Sequence, residues 1–391
     1  MKHRPWDVVV VGAGPAGCHA AWNLGRRGRN VLLVDRATFP RWKPCAGGIT
    51  VKAAPYIPRE LHDLFEEEIR EAIISFGPDA VTRIHTRRPV GWMVHRESFD
   101  AAHLDLVRQC ASVAVVEGCR VSAVEEMADR VRVHSSSGVL EARAVIGADG
   151  VEGMVARALR GWAERDCVVV FEGEAWLDGP QGAHGSALFD LEHFPGGYGW
   201  VFPKRHRCSI GGYVENGEGG RSVRARYRSF VKEWEPLRGS ETYRSRGYRI
   251  PLGGTSRRLN TNRIVLVGDA ADAVDPVTGE GIAFAFKTAH LAAAAVDEML
   301  TTGRSLDGYT SKVWREIHAP FRFARRLSDL MYTHPRAAFR LLFRNRLICR
   351  LFVRVVRGEI GYPGLVARVA AAAPILPAYA VEGKEVGFVV P

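Results

Sequence analysis

The spacing of apolar positions changes repeatedly along this chain, and each change predicts an element. The apolar run within 6–12 predicts a strand. Residues 15–27 follow with Ala20, Ala21 and Leu24 at helical spacing, and Val31–Val34 predicts the next strand, closing a βαβ unit. Between about 70 and 95 the pattern predicts short strands such as 91–95. Phe99 to Ala111 predicts a helix, and 113–117, 120–125, 130–134 and 139–146 predict strands. Residues 166–254 alternate in period two, predicting an antiparallel sheet. Residues 281–300 predict an Ala-rich helix, and the chain from 310 onward reads as mostly helical. The expected fold is α/β: a parallel Rossmann-type sheet built from separate segments, an inserted antiparallel sheet and a helical C-terminal part. The expected boundaries are 1–68, 96–160 and 255–330 for a discontinuous cofactor-binding domain, 69–95 and 161–254 for a substrate domain, and 331–391 for the helical region.

The turns between these elements carry chemistry. Gly12, Gly14 and Gly17, with Ala16 among them, stand between the first strand and its helix. This is a turn that brings backbone and a helix N-terminus against a pyrophosphate. Asp35 ends the second strand, where an acid binds ribose hydroxyls, and Arg36 stands beside it near the adenosine end. That turn serves NAD and FAD alike. A second strand, 263–267, ends in Gly268-Asp269, followed by Pro276-Val-Thr-Gly279-Glu-Gly281 and a helix from Ile282. An aspartate at that strand end suits a ribityl hydroxyl. Amides at the helix start suit the electron-rich edge of a reduced flavin. FAD is therefore the expected cofactor, gripped by two distant parts of the chain.

Composition narrows the class. The 391 residues are 47% hydrophobic and 25% charged, which is ordinary for a globular protein. Seven scattered cysteines, none in a Cys-x-x-Cys pair, predict neither a disulfide framework nor a metal site, and favour a reducing cytoplasm. No signal peptide and no membrane span is expected. The net charge of +11 fits an anionic membrane surface or a phosphorylated substrate; no nucleic-acid motif accompanies it. In the C-terminal region arginines recur every three to four residues among Leu, Phe and Val, a pattern that suits either a membrane interface or a helix packed on the core.

Gly12-x-Gly14-x-x-Gly17, Asp149-Gly150 and Gly268-Asp269, with Arg96 before Phe99-Asp100, resemble the flavoprotein superfamily of p-hydroxybenzoate hydroxylase. That resemblance assigns cofactor contacts to Arg96 and Asp149. Gly153 stands where many members carry serine. Two further motifs are similar to those of the geranylgeranyl reductase family: Cys45-Ala46-Gly47-Gly48, a loop that lies near the flavin there, and Pro195-x-x-Tyr198-x-Trp200-x-Phe202-Pro203-Lys204. The resemblance implies an FAD-dependent reductase of isoprenoid double bonds, acting on a prenylated lipid or diphosphate. An FAD-dependent aromatic monooxygenase or a flavin-dependent halogenase is the alternative. The Gly-x-Trp-x-Trp-x-Ile stretch expected of halogenases is absent from the early region.

Tyr198, Trp200 and Phe202 fall on one face of a strand, suited to line an apolar tunnel or to form ordinary sheet core. Tyr198 and Trp200 are candidate catalytic residues and, with Phe202 and Lys204, candidate substrate contacts. Lys204 could equally begin a solvated turn. Cys45 is the third catalytic candidate, weighed against a purely packing role. The electron donor is open between NAD(P)H and a ferredoxin-like protein.

Overall fold

The computed structural model describes residues 5–161, 167–176, 185–214, 220–233 and 242–390. Seven strands form the first sheet. Its parallel part comprises β1 (Trp6–Val11), β2 (Val31–Val34), β8 (Val113–Val116), β11 (Gly138–Gly147) and β17 (Ile264–Leu266). β10 (Val131–Ser135) extends it antiparallel to β11, and β9 (Val121–Glu126) pairs antiparallel with β10 at the edge. Val8, Val9 and Val10 are fully buried, because helices cover the sheet. Those helices include α1 (Pro15–Gly25), α2 (Arg96–Arg108), α3 (Met154–Arg160) and α5 (Ile282–Thr302).

Register decides where the motifs meet. Val11 pairs with Gly147, and Gly147 with Leu266, across β1, β11 and β17. The chain therefore leaves all three strands at one carboxyl edge, the position at which such sheets bind ligands. Gly12, Ala148 and Val267 follow directly.

The second sheet has eight strands in the order β16 (Thr242–Pro251), β12 (Cys167–Trp176), β15 (Arg207–Val214), β14 (Gly199–Lys204), β13 (Ser186–Asp190), β5 (Glu71–Ser75), β6 (Val81–Thr86) and β18 (Glu385–Val390). A small sheet of β3 (Gly48–Thr50), β7 (Gly91–Val94) and β4 (Phe65–Ile69) lies between the two.

The period-two reading of 166–254 is corrected in two ways. A helix, α4 (Gly220–Glu233), interrupts it, burying Val223, Tyr227 and Phe230 at helical spacing against the sheet. The sheet is also mixed, since β13 pairs parallel with β5 and β18 parallel with β6. The C-terminal region is helical through α6 (Gly308–Val313), α7 (Ala319–Thr333), α8 (Pro335–Ala338), α9 (Arg346–Val356) and α10 (Tyr362–Ala372). It then ends in β18, whose alternate residues Val386, Phe388 and Val390 are buried. Among the described residues no helix is long and apolar enough to cross a membrane.

Candidate active site

The glycine turn after β1 is dictated by contact. A Cβ on Gly17 would lie 1.7 Å from the Gly12 carbonyl oxygen, and one on Gly12, whose φ is +102°, would lie 2.4 Å from the Ala148 oxygen. Helix α1 can thus approach the sheet only without these side chains. Asp35 Oδ2 accepts the Ala13 N–H at 2.6 Å and Oδ1 the Ala37 N–H at 2.7 Å, so its carboxylate fastens the turn to the end of β2. Arg36 beside it is exposed. Arg41 was not foreseen. Its Nη2 lies 3.8 Å from where a Cβ on Gly14 would stand, at the N-terminus of α1, and its Nη1 is 3.3 Å from Asp100 Oδ2. Helix start and guanidinium together favour an anion there.

The second turn reaches the first. A Cβ on Gly268, whose φ is +59°, would stand 3.0 Å from Ala16 Cβ. Asp269 Oδ1 lies 3.6 Å from the Cβ position of Gly281, which caps α5, and Asp269 Oδ2 is 3.9 Å from Lys43 Nζ. Between them the buried carboxylate of Asp275 accepts N–H bonds from Val277 and Thr278 and an O–H bond from Tyr362, fixing the loop that holds Pro276 and Gly279. The amides of Ile282 and its successors open α5 without intrahelical partners. Asp149 has a structural task here: its Oδ2 accepts the Val155 N–H at 3.0 Å and caps α3. A Cβ on Gly153 would sit 2.1 Å from Asp149 Oδ1, which accounts for glycine where serine was expected.

Helix α2 begins at Arg96, three residues earlier than its apolar spacing predicts, so Arg96 sits in its first turn. It is buried, with Nε and Nη2 donating to the two oxygens of Asp100 at 2.9 and 2.8 Å. Burial opposes its charge, but Asp100 and Cys45 outweigh it and hold the guanidinium firmly protonated. Cys45 is half-buried, near enough to Arg96 to favour its positive charge. The following loop is wedged: a Cβ on Gly47 would lie 2.2 Å from the Val94 oxygen and 3.3 Å from Lys204 Nζ. Ala46 packs against the cluster that contains Tyr198, Trp200 and Phe202.

Those three aromatics are buried on one face, with ring centroids 6.1 Å apart for Tyr198–Trp200 and 6.3 Å for Trp200–Phe202. Tyr198 donates to the Thr278 carbonyl at 2.5 Å. Trp200 Nε1 donates to Ser209 Oγ at 3.2 Å, and Ser209 donates in turn to Glu172 Oε1 at 2.9 Å. Tyr248 donates to Glu172 Oε2 at 3.0 Å. Burial raises the Glu172 carboxyl to about 7, although Lys204, Ser209 and Tyr248 pull it back.

Lys204 is corrected from the solvated-turn reading. It is 1% exposed, its Nζ 3.8 Å from Glu174 Oε1, while Arg205 and His206 make the exposed turn. Glu174 also pairs with Arg244 at 2.7 Å and lies 3.6 Å from His95 Nε2. Glu172 and Glu174 escaped attention in the sequence. Two carboxylates at i and i+2 in an otherwise apolar strand are the signal that marks them.

A family model for FAD dependent oxidoreductases matches residues 7–158. Digeranylgeranylglycerophospholipid reductase 1 of Methanopyrus kandleri is 30% identical, over 83% of this chain and 90% of that protein. Menaquinone reductase of Mycobacterium tuberculosis is 31% identical, over 84% of this chain and 85% of that protein. The chain belongs to the geranylgeranyl reductase family of FAD-dependent oxidoreductases. The fold of a geranylgeranyl bacteriochlorophyll reductase-like protein from Thermoplasma acidophilum agrees, with a TM-score of 0.76 at 19% identity over 94% of this chain and 99% of that one. FAD is the cofactor this family implies. The structure fits it with glycine cradles at Gly12, Gly17 and Gly268 that a Cβ would fill, and with two helix N-termini opening on one sheet edge.

Proposed function

We propose that this protein saturates carbon–carbon double bonds of an isoprenoid chain. The observation that carries the reading is the buried aromatic face of Tyr198, Trp200 and Phe202, set against the Cys45–Gly48 loop and tied by Tyr198 to the loop that opens α5. An oily chain needs such a wall, and a cofactor held by the α1 and α5 N-termini would lie at its side. Reduced FAD bound there supplies a hydride to one alkene carbon.

The chain's own residues must do the rest. The other carbon needs a proton, and an isolated alkene gives no carbonyl to help. Cys45, in the loop that packs against the aromatic wall and beside Arg96, is the group we assign to that end of the bond. Tyr198 and Trp200 fix the alkene in position, and Phe202 continues the wall. Asp35, Arg36, Arg96, Asp149 and Asp269, with the glycines, Ala16, Ala46, Pro276 and Ile282, make the cofactor cradle in this reading. Lys204, inside the protein beside Gly47, keeps the Cys45 loop in place and does not face a substrate head group at the surface. The names of the relatives, a digeranylgeranylglycerophospholipid reductase and a menaquinone reductase, support a prenylated lipid as substrate class.

Anaerobic photoreduction of the purified protein, followed by mixing with a geranylgeranyl lipid, tests this. Reoxidation of the flavin by the alkene, with two hydrogens gained per bond in the mass spectrum, is expected. Reoxidation by oxygen alone, with a hydroxylated product, overturns it in favour of a monooxygenase.

A further inference from the structure

The C-terminal helices enclose an apolar space. A cavity of about 320 Å³ lies between α7, the turn at 339–343, α9 and α10. Leu327, Met331, Leu342, Phe352, Leu365 and Val369 line it, and none of its walls is charged. Its rim exposes Leu330, Leu341 and Val366 to solvent, each at about half of its surface. Ile375 and Tyr379 extend the exposed apolar surface along the following turn. Large side chains this exposed are rare on a surface with no partner when they cluster.

Charge gathers at the same place. Residues 319–380 hold eleven arginines against only Asp329 and Glu359, so most of the chain's net +11 lies in this segment. Several of these arginines are already used internally: Arg325 donates to Gly253, Arg344 to Lys384, and Arg357 to Arg88. Arg322, Arg326, Arg340, Arg346 and Arg350 are exposed and form no ion pair among the described residues. Arg326 immediately precedes Leu327, Arg340 precedes Leu341, and Arg350 follows Cys349, all three at the cavity.

We propose that this slot docks the protein on an anionic lipid bilayer, one hydrocarbon chain of a phospholipid entering between α7, α9 and α10 while the free arginines meet the phosphates. Apolar rim and unpaired cations together match the two layers of a membrane interface, hydrocarbon beneath phosphate. A soluble acidic partner would use the arginines but leave the slot without an occupant. The opposite side of α7 reaches the flavin site. Ser328 donates to the Pro276 carbonyl at 3.1 Å, and the Tyr332 and Tyr213 hydroxyls are 2.8 Å apart. Docking through α7 therefore holds the aromatic wall within one helix width of the lipid. The inference rests on the proposed function only in taking that lipid surface as the source of substrate.

The experiment is flotation of the flavin-loaded protein with vesicles, either phosphatidylcholine alone or a mixture with phosphatidylglycerol. Co-flotation with the anionic vesicles, weakened by salt, is expected. Leu341→Glu and the pair Arg340→Glu with Arg346→Glu should each lower it roughly tenfold or more. Because these side chains are exposed, the flavin spectrum and photoreduction should stay unchanged. Equal flotation of the Leu341→Glu variant, or no flotation of the parent protein at low salt, overturns the proposal. So does a change from dimer to monomer in Leu341→Glu with lipid binding intact, which would make the slot a self-interface. None of these outcomes depends on alkene reduction, so the docking and the reaction can fail separately.

Discussion

The hydroxyl of Tyr198 donates a 2.5 Å hydrogen bond to the carbonyl of Thr278, two parts of the chain that are 80 residues apart. This bond ties the aromatic wall to the loop on which the N-terminus of α5 depends. Tyr198→Phe should keep its ring packing and lose only the tie. We expect a stability loss of about 1 kcal/mol in urea unfolding, full FAD content and a clear fall in alkene turnover. A variant with unchanged turnover would reduce Tyr198 to a core residue.

Gly17→Ala tests the cradle. Its methyl would overlap the Gly12 carbonyl, which is backbone and cannot step aside. The purified variant should show little flavin absorbance at any added FAD concentration. Gly268→Ala should weaken FAD binding less, because its nearest neighbour, the Ala16 methyl, stands 3.0 Å away and the overlap is shallow, although its backbone conformation is also strained.

Arg96 and Asp100 form a buried pair, and removing one partner strands the other. Asp100→Asn should cost roughly 3–5 kcal/mol in denaturant unfolding. Arg41 also reaches Asp100, so the same variant should loosen the region over the α1 N-terminus and raise the dissociation constant for FAD.

Glu172 predicts a pH dependence. Its carboxyl is raised from the ordinary 4.5 to about 7, so the folded protein holds a proton there that the unfolded chain releases. Its stabilising contribution is full below about pH 4.5 and is lost as pH rises through about 7. Relative to Glu172→Gln, the parent protein should lose roughly 3 kcal/mol across that interval. Parallel stability curves for the two proteins would contradict this.

Cys45→Ser keeps a hydroxyl within reach of Arg96 and changes the proton-donating atom. Turnover should fall while FAD content and spectrum persist. Unchanged turnover would remove Cys45 from the reaction.

What the sequence showed and what it hid divide along physical lines. The β1–α1–β2 unit was legible because a buried parallel strand and a glycine turn leave local signals. Val31–Val34 appears with the expected bounds. The grouping of Tyr198, Trp200 and Phe202 on one face followed from strand period alone. Arg41 was not legible, because only tertiary folding brings it over Gly14. Lys204 misled for the same reason: beside Arg205 and His206 it reads as part of a basic turn, yet the pleat turns its side chain inward. Helix α4 lay hidden within a run of alternation, although Val223, Tyr227 and Phe230 have helical spacing. Apolar spacing places the start of α2 too late because Arg96 and Asp100 are buried as an ion pair, which an apolar count passes over.

The final strand, β18, lies beside β6, some 300 residues earlier in the chain. During synthesis the β6 edge must therefore wait, unpaired, while some 300 further residues are added. The nascent protein carries an adhesive border for as long as those residues take to appear. Ribosomes stalled before residue 385 should display the sheet with β6 as its bare edge, a border that attracts chaperones until β18 covers it.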